Sequence, residues 1–374
     1  MKNIYFNIRA NSRERMWDTP KNAHPVCNVL LPKGIEQQSS IKTYNNTSSF
    51  ISKLKLEVSK KLINQQKVDN QIALQADCLY MWGAFPKDDK KPFILELDNP
   101  YTPAYYHIDN FKRNKQKIKD KLLKAQKITF MSNTCKNHAI ELYGKEIEKK
   151  SFLNYPYMSD NIIKRKVKED DIIDFVFVGF DYRRKGGSEL LKAFSKVSAK
   201  NIRLTFISNI EDNIIHEYED DTRIIFLPPQ SRETLFDEIY PKSDVLILPS
   251  LHESFGVVLL EALSFGLGLI CIDTYATSEI VENNFNGKLL HHPILKPTLL
   301  NGEKVINCVD IRIKDFSKQY LENDQFYYGM YKELINSIEE AIVNFKSWQE
   351  NSVKLFHKRF APDIWLENFE NIIK

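Results

Sequence analysis

The chain alternates short runs that are apolar at almost every position with longer stretches in which apolar residues recur every three to four positions. The runs fall at residues 2–10, 77–83, 91–99 and 127–132, and again at 174–180, 201–208, 223–227, 244–249 and 269–273. A strand that is apolar throughout, not at alternate positions, is one covered on both faces, as in a parallel sheet. Helical spacing appears in between, at 112–127, in a segment reaching residue 143, and at 188–197, 254–266 and 362–373. Strands alternating with helices predict a doubly wound α/β architecture. Residues 39–49 read as a polar loop, 50–66 carry enough aliphatic periodicity for a helix, and 291–328 look like an irregular insertion. The composition turns polar and charged over 159–171, as linkers do, and a domain boundary is expected there.

One junction is richer than the rest. Residues 244–268, DVLILPSLHESFGVVLLEALSFGLG, read as a strand, a short polar turn and a helix that Ser254 can cap. The first N–H groups of such a helix have no internal partner, and its dipole leaves partial positive charge there, so the turn is ready for an anion. Gly256 lets a phosphate approach the backbone closely. Glu253 lies in the turn and Glu261 about two helical turns further on, so both can face one crevice. Glu261 stands among aliphatic residues, and a buried carboxylate needs partners. A ribose diol would supply two donors; a core Arg or Tyr would serve equally, with Glu253 then a solvated loop residue.

A second junction follows the strand at 174–180. Arg184 and Lys185 stand between that strand's end and a helix start, where two adjacent cations can neutralise a diphosphate. In the first half of the chain, the strands at 77–83 and 91–99 end in polar or aromatic loops, and Asp98 closes the second. Ligands of open α/β sheets bind at such carboxyl ends. The tyrosines within 100–107 could stack on sugar rings or simply pack as loop aromatics. No glycine follows the first strand closely, and Arg13 or Arg15 could take over its phosphate contacts by side chain.

The spacing Glu253-Ser-Phe-Gly-Val-Val-Leu-Leu-Glu261 resembles the E-x7-E signature of the retaining glycosyltransferases of family 4, as do the flanking DVLILPS and EALSFG. The stretch from Val178 to Gly186 resembles the same family's V-G-x-x-x-x-R-K-G variant. The resemblance is strong over about 174–287 and weak before it. It implies the GT-B fold, with two Rossmann-like domains facing across a cleft that holds the active site. Residues 1–160 would form the acceptor-side domain and 161–355 the domain that binds the nucleotide sugar. A final helix in 356–374 would return to the first domain. It also implies that Glu261 holds the donor ribose, that Glu253 lies beside the donor sugar, and that Arg184 and Lys185 bind the diphosphate. Gly179, Phe255, Gly256 and Val257 would complete the donor site, with the nucleotide base received by the loop at 228–232. Asp98 stands where the family usually has a His near the reaction centre, Phe180 where many members have an Arg, and Tyr275 and Ala276 where a pair of glycines is common.

The expected activity is transfer of a sugar, with retention, from a nucleotide sugar to a hydroxyl of a glycan or lipid-linked acceptor, in polysaccharide or glycoconjugate synthesis. Neither a metal nor a cofactor is expected: no His-rich or Cys-rich spacing, Walker motif or G-x-G-x-x-G after the first strand occurs. A nucleotide-sugar epimerase of the same fold and a non-catalytic nucleotide-sugar-binding subunit are the alternatives.

Composition narrows the setting. The 374 residues suffice for two cores, and 43% hydrophobic with 27% charged residues is the balance of a soluble globular protein. Five scattered cysteines without a C-x-x-C pair read as thiols of a reducing compartment. A net charge of +4 does not argue for nucleic acid. No signal-like or membrane-spanning run appears, so a cytoplasmic location is expected. Lysines crowd residues 112–127 around a stripe of Ile118, Leu122 and Ala125. That basic helix is either a solvated face or a patch for anionic lipid, which would make the protein peripheral at a membrane.

Overall fold

A computed structural model describes residues 1–10, 12–35, 61–88, 90–166, 170–321 and 327–374. The loop expected at 39–49 lies outside these residues, as does most of the helix expected over 50–66. Its described end holds a two-residue strand at Gln65–Gln66 instead. The chain divides into two compact units. One comprises Met1–Tyr157, Leu299–Glu303 and Pro362–Lys374, the other Met158–Thr298 and Lys304–Ala361.

The first unit is built on a six-stranded parallel sheet of β1 (Asn3–Phe6), β2 (Asn28–Leu30), β3 (Cys78–Trp82), β4 (Phe93–Leu97), β5 (Lys127–Phe130) and β6 (Ser151–Leu153). Their order is β2-β1-β3-β4-β5-β6. Every position of β3 and β4 is buried, as their unbroken apolar pattern requires. Helices α1 (Glu14–Asn22), α2 (Ile108–Lys124) and α3 (Asn133–Tyr143) connect the strands. Ser132 caps α3 by accepting the Cys135 N–H at 3.0 Å. The closing helix, Pro362–Ile373, belongs to this unit and puts Trp365, Phe369, Ile372 and Ile373 into one cluster with Phe6, Tyr80 and Trp82. Phe369 stacks on Trp365 at 4.9 Å and lies 5.7 Å from Tyr80.

The second unit holds another six-stranded parallel sheet, of β7 (Ile173–Val178), β8 (Ile202–Ile207), β9 (Ile224–Leu227), β10 (Val245–Leu248), β11 (Gly268–Ile272) and β12 (Gly287–Leu290). Its order is β9-β8-β7-β10-β11-β12. The order reverses between β7 and β10. Connections leave those two strands in opposite directions, which opens a crevice at their carboxyl ends. Around the sheet lie α4 (Gly187–Lys196), α5 (Val257–Ser264), α6 (Ile313–Tyr320) and the long α7 (Tyr328–Arg359).

Two local expectations change. Helix α5 is not capped by Ser254: its N-cap is Gly256, at φ +87°, and the helix starts at Val257. Glycine reaches this left-handed conformation without a Cβ clash, so the turn runs two residues further before the helix begins. The segment 291–328, expected to be irregular, contains α6, whose Phe316 is fully buried.

Candidate functional site

The loops that leave β7 and β10 lock together, backbone against backbone. Gly186 has φ +71°, and a Cβ there would stand 2.2 Å from the Pro249 carbonyl oxygen, so only glycine permits this approach. The Leu251 N–H donates to the Arg184 carbonyl at 3.0 Å. The Arg184 side chain turns the same way: its Nη1 donates to the His252 carbonyl at 3.0 Å and its Nε lies 3.3 Å from Asp181. Lys185 bonds directly to Glu253. Burial alone would raise the Glu253 carboxyl, but the Lys185 ammonium and the Arg184 guanidinium outweigh it and hold its pKa below the ordinary value. Glu253 is therefore an ionised acceptor with a lysine as its countercharge. Beside it, α5 begins at Gly256 and Val257, where the first helical N–H groups have no intrahelical partner. The turn and the helix start thus offer one lysine cation, one carboxylate and a set of backbone donors.

Glu261 is buried further along α5. Its Oε1 lies 3.2 Å from Arg232 Nε, and its Oε2 accepts from the Tyr240 hydroxyl at 3.2 Å. Burial and then the Glu261 carboxylate push the Tyr240 phenol well above its usual range, so it stays a donor. The Arg and Tyr that could have satisfied this carboxylate structurally are both present. Arg232 ends the 228–232 loop expected to receive a base, which brings that loop and Glu261 together. Phe255, expected among the donor contacts, is 2% exposed, so its ring is part of the core. At Gly179 a Cβ would stand 2.9 Å from the Lys185 side chain, so the missing side chain gives that lysine room. Phe180 is partly exposed, and Ser208 Oγ donates to its carbonyl at 3.2 Å. Tyr275 keeps a left-handed backbone at φ +49° with its ring buried. Such a conformation is strained for tyrosine and persists because the surrounding core holds it.

In the first unit, Asp98 ends β4 as a buried carboxylate. It accepts from Thr102 Oγ1 at 2.7 Å and Tyr106 Oη at 3.0 Å, and it pairs with Arg13 at 3.4 Å and Arg15 at 3.5 Å. Arg15 also pairs with Glu96 at 2.8 Å, which in turn accepts from the Tyr80 hydroxyl at 2.7 Å. Burial would raise the Asp98 carboxyl, yet the two guanidinium groups hold it below its ordinary value. Asp98 thus has no proton to donate, and Arg13 and Arg15, considered for phosphate contacts, both pair with carboxylates. Two cations and two carboxylates make this cluster neutral as a whole.

The side chains that brace the turn before α5 were not legible beforehand. His252, His292 and Cys308 lie far apart in sequence or had no motif, and the only signal was that His252 adjoins Glu253. On α2, Lys119 bonds to Glu146 at 2.6 Å, whereas Lys112, Arg113, Lys115, Lys117 and Lys124 are exposed. Among the described residues, no helix is long and apolar enough to cross a membrane, and no cluster of three or more His, Cys, Asp or Glu could hold a metal ion.

Residues 158–296 match the family model described as glycosyl transferases group 1. Among curated proteins, the uncharacterized glycosyltransferase MJ1607 of Methanocaldococcus jannaschii is 28% identical over 127 residues, covering 32% of each chain. A D-inositol 3-phosphate glycosyltransferase of Mycolicibacterium gilvum is 35% identical over 83 residues, 21% of this chain and 19% of that protein. The chain therefore spans about a third or less of the length of these relatives. Two solved structures align along nearly their whole length. Anabaena Alr3699/HepE in complex with UDP has a TM-score of 0.64 at 13% identity, covering 100% of this chain and 99% of that one. Sucrose-phosphate synthase from Thermosynechococcus elongatus also has a TM-score of 0.64 at 13% identity, covering 100% and 98%. At such identities the likeness shows the fold: parallel α/β, with the two Rossmann-like sheets of GT-B glycosyltransferases.

Proposed function

We propose that the protein is a glycosyltransferase that moves a sugar from a nucleoside diphosphate sugar to an acceptor hydroxyl. The observation that carries this reading is the Lys185–Glu253 ion pair at the head of α5, where the strand order of the second sheet reverses. It lies within the segment that matches glycosyl transferases group 1. The Anabaena neighbour was crystallised with UDP and with UDP-glucose, which makes a uridine nucleotide the first donor to try.

The donor diphosphate would lie on the backbone N–H groups at the start of α5 and draw Lys185 partly away from Glu253. As the bond to the sugar breaks, negative charge grows on the diphosphate, and the lysine and the helix start stabilise it more at that point than before. Glu253, ionised, would accept hydrogen bonds from donor hydroxyls and position the sugar. Glu261 with Arg232 would hold the nucleoside. Arg184 would act by shaping the turn, since its guanidinium is committed to the His252 carbonyl and Asp181. Retention of configuration, independence of metal, and a glycan or lipid-linked acceptor complete the reading. So does association with an anionic membrane surface through the exposed cations of α2.

Thermal shift with UDP-, GDP- and ADP-sugars tests it first, because a ligand that binds only the folded state raises the melting temperature. Donor hydrolysis without acceptor follows, with and without chelator. Binding together with slow hydrolysis is expected. Binding of no nucleotide sugar sinks the reading; an epimerised sugar, or binding without any turnover, replaces it with an epimerase or a non-catalytic subunit. Turnover lost in chelator and restored by magnesium or manganese would overturn the metal-independent mechanism.

A further inference from the structure

Three consecutive carbonyls in the turn before α5 each receive a side-chain donor. His292 Nε2 donates to Leu251 O at 2.9 Å, Arg184 Nη1 to His252 O at 3.0 Å, and Cys308 Sγ to Glu253 O at 3.1 Å. His252 itself reaches outward: its Nε2 donates to Ile311 O at 2.8 Å, and its ring meets Phe316 edge-on at 5.3 Å. The turn that carries Glu253 is therefore stitched to His292, Cys308, Ile311 and Phe316 through two imidazoles and a thiol.

The chemistry of these contacts fixes one proton on each ring. A carbonyl oxygen can only accept, so both rings carry a proton on Nε2. His292 Nδ1 accepts from the Ile294 and Leu295 N–H groups at 3.2 and 2.9 Å, so a second proton there would face two donors. His252 is 6% exposed, with Arg184 and Lys185 facing it as cations and Glu253 and His292 as the other titratable groups. A charged His252 would add a third cation beside Arg184 and Lys185, within the field of the Glu253 carboxylate.

We propose that His252 is a positioning residue for glycosyl transfer, whose neutral ring, bonded to the Ile311 carbonyl, holds Glu253 in register with Lys185. This rests on the glycosyltransferase reading above. Burial lowers the pKa of His252 below the ordinary imidazole value and Arg184 and Lys185 lower it further, against the opposing effects of the Ile311 carbonyl and Glu253. Burial also pushes the Cys308 thiol up to about 11, so that donor stays protonated throughout the range in which His252 titrates. Turnover then carries an acid limb that belongs to His252.

The test uses the full-length protein and UDP-glucose, with kcat and KM for donor hydrolysis measured from pH 5 to 8 and UDP affinity measured by calorimetry. His252→Gln keeps an N–H donor near the Nε2 position but cannot titrate; His252→Phe keeps the packing on Phe316 and loses the donor. His252→Phe is expected to lower kcat about tenfold, with KM and UDP affinity within about twofold of wild type. His252→Gln is expected to recover most of that kcat and to move the acid limb to lower pH. An unchanged kcat in His252→Phe, or a wild-type acid limb in His252→Gln, overturns the positioning role. If His252→Phe does not fold, the pH profile of His252→Gln decides alone. A wild-type protein that neither binds UDP nor hydrolyses UDP-glucose overturns the glycosyl-transfer reading itself, and this proposal with it.

Discussion

Glu253 and Lys185 are only 16% and 15% exposed, so neither charge can rely on water for solvation. Removing the lysine leaves a largely buried, uncompensated carboxylate. Lys185→Ala is therefore expected to destabilise the protein by about 3 kcal/mol and to cut turnover about a hundredfold. The double variant Lys185→Ala with Glu253→Gln should regain most of the melting temperature but none of the turnover, because the buried charge is gone while the diphosphate still lacks its cation. An unchanged melting temperature in Lys185→Ala would contradict the pair. Glu261 calls for a different experiment, because Arg232 and Tyr240 already satisfy it in part. Glu261→Gln should weaken UDP binding by about ten- to a hundredfold, measured by calorimetry, with a smaller effect on the turnover of bound donor. Undiminished affinity in a folded variant would leave Glu261 as a partner of Arg232 and Tyr240 and nothing more.

The turn before α5 behaves as an element with its own pH dependence. His252 and His292 both have folded pKa values below the ordinary 6.5, chiefly because of burial. The unfolded chain then binds protons that the folded one refuses, so stability is complete above about 6.5 and falls as the pH drops toward the folded values. Asp98 and Glu253 are also lowered, from 3.8 and 4.5, so their contribution is present above those values and is lost as the pH falls through them. Melting temperature measured from pH 8 to 3 should fall in two steps, the first weakened in His252→Gln. A flat profile between pH 6.5 and 5 would contradict buried neutral rings. Helix α2 poses the other question at this scale. Its exposed cations carry no exposed large apolar side chain between them, so any membrane attraction would be electrostatic. Each such residue near an anionic surface contributes about 1 kcal/mol, screened by salt. Co-sedimentation with anionic vesicles should be lost at high salt and absent with neutral ones; equal binding to both, or none to either, would make the face a solvated one.

At the scale of the whole molecule, the first unit is completed by the last element of the chain. Trp365, Phe369, Ile372 and Ile373 are buried against residues of β1 and β3, and each such side chain stabilises by about 1.5–3 kcal/mol as an upper estimate. Their sum rivals the 5–15 kcal/mol by which a typical domain is stable at all. A chain ending before Pro362 should therefore expose residues 1–157 to protease while 158–361 stay resistant. Equal resistance in both parts would show that the closing helix is dispensable.

Nine of the twelve strands of the two six-stranded sheets, and α2 to α5 with the closing helix, are legible in the sequence because burial on one or both faces leaves a period in the chain itself; the short β2, β6 and β12, and α1, α6 and α7, are not. Continuous apolar runs mark β3, β4, β7, β10 and β11, and helical spacing bounds the closing helix at 362–373. The Glu253 and Glu261 spacing was equally local. What only the tertiary structure decided was the partner of each charge. Asp98 meets Arg13 and Arg15, Glu261 meets Arg232 and Tyr240, and Arg184 meets the His252 carbonyl. The start of α5 likewise moved to Gly256, since a left-handed φ depends on how the turn is held from outside. Periodicity records that a residue is buried; which opposite charge or carbonyl it faces depends on the order of strands that bring segments dozens of residues apart to one sheet edge. Desolvation then makes that choice binding, because a buried charge without its partner costs far more than the choice of helix or strand around it.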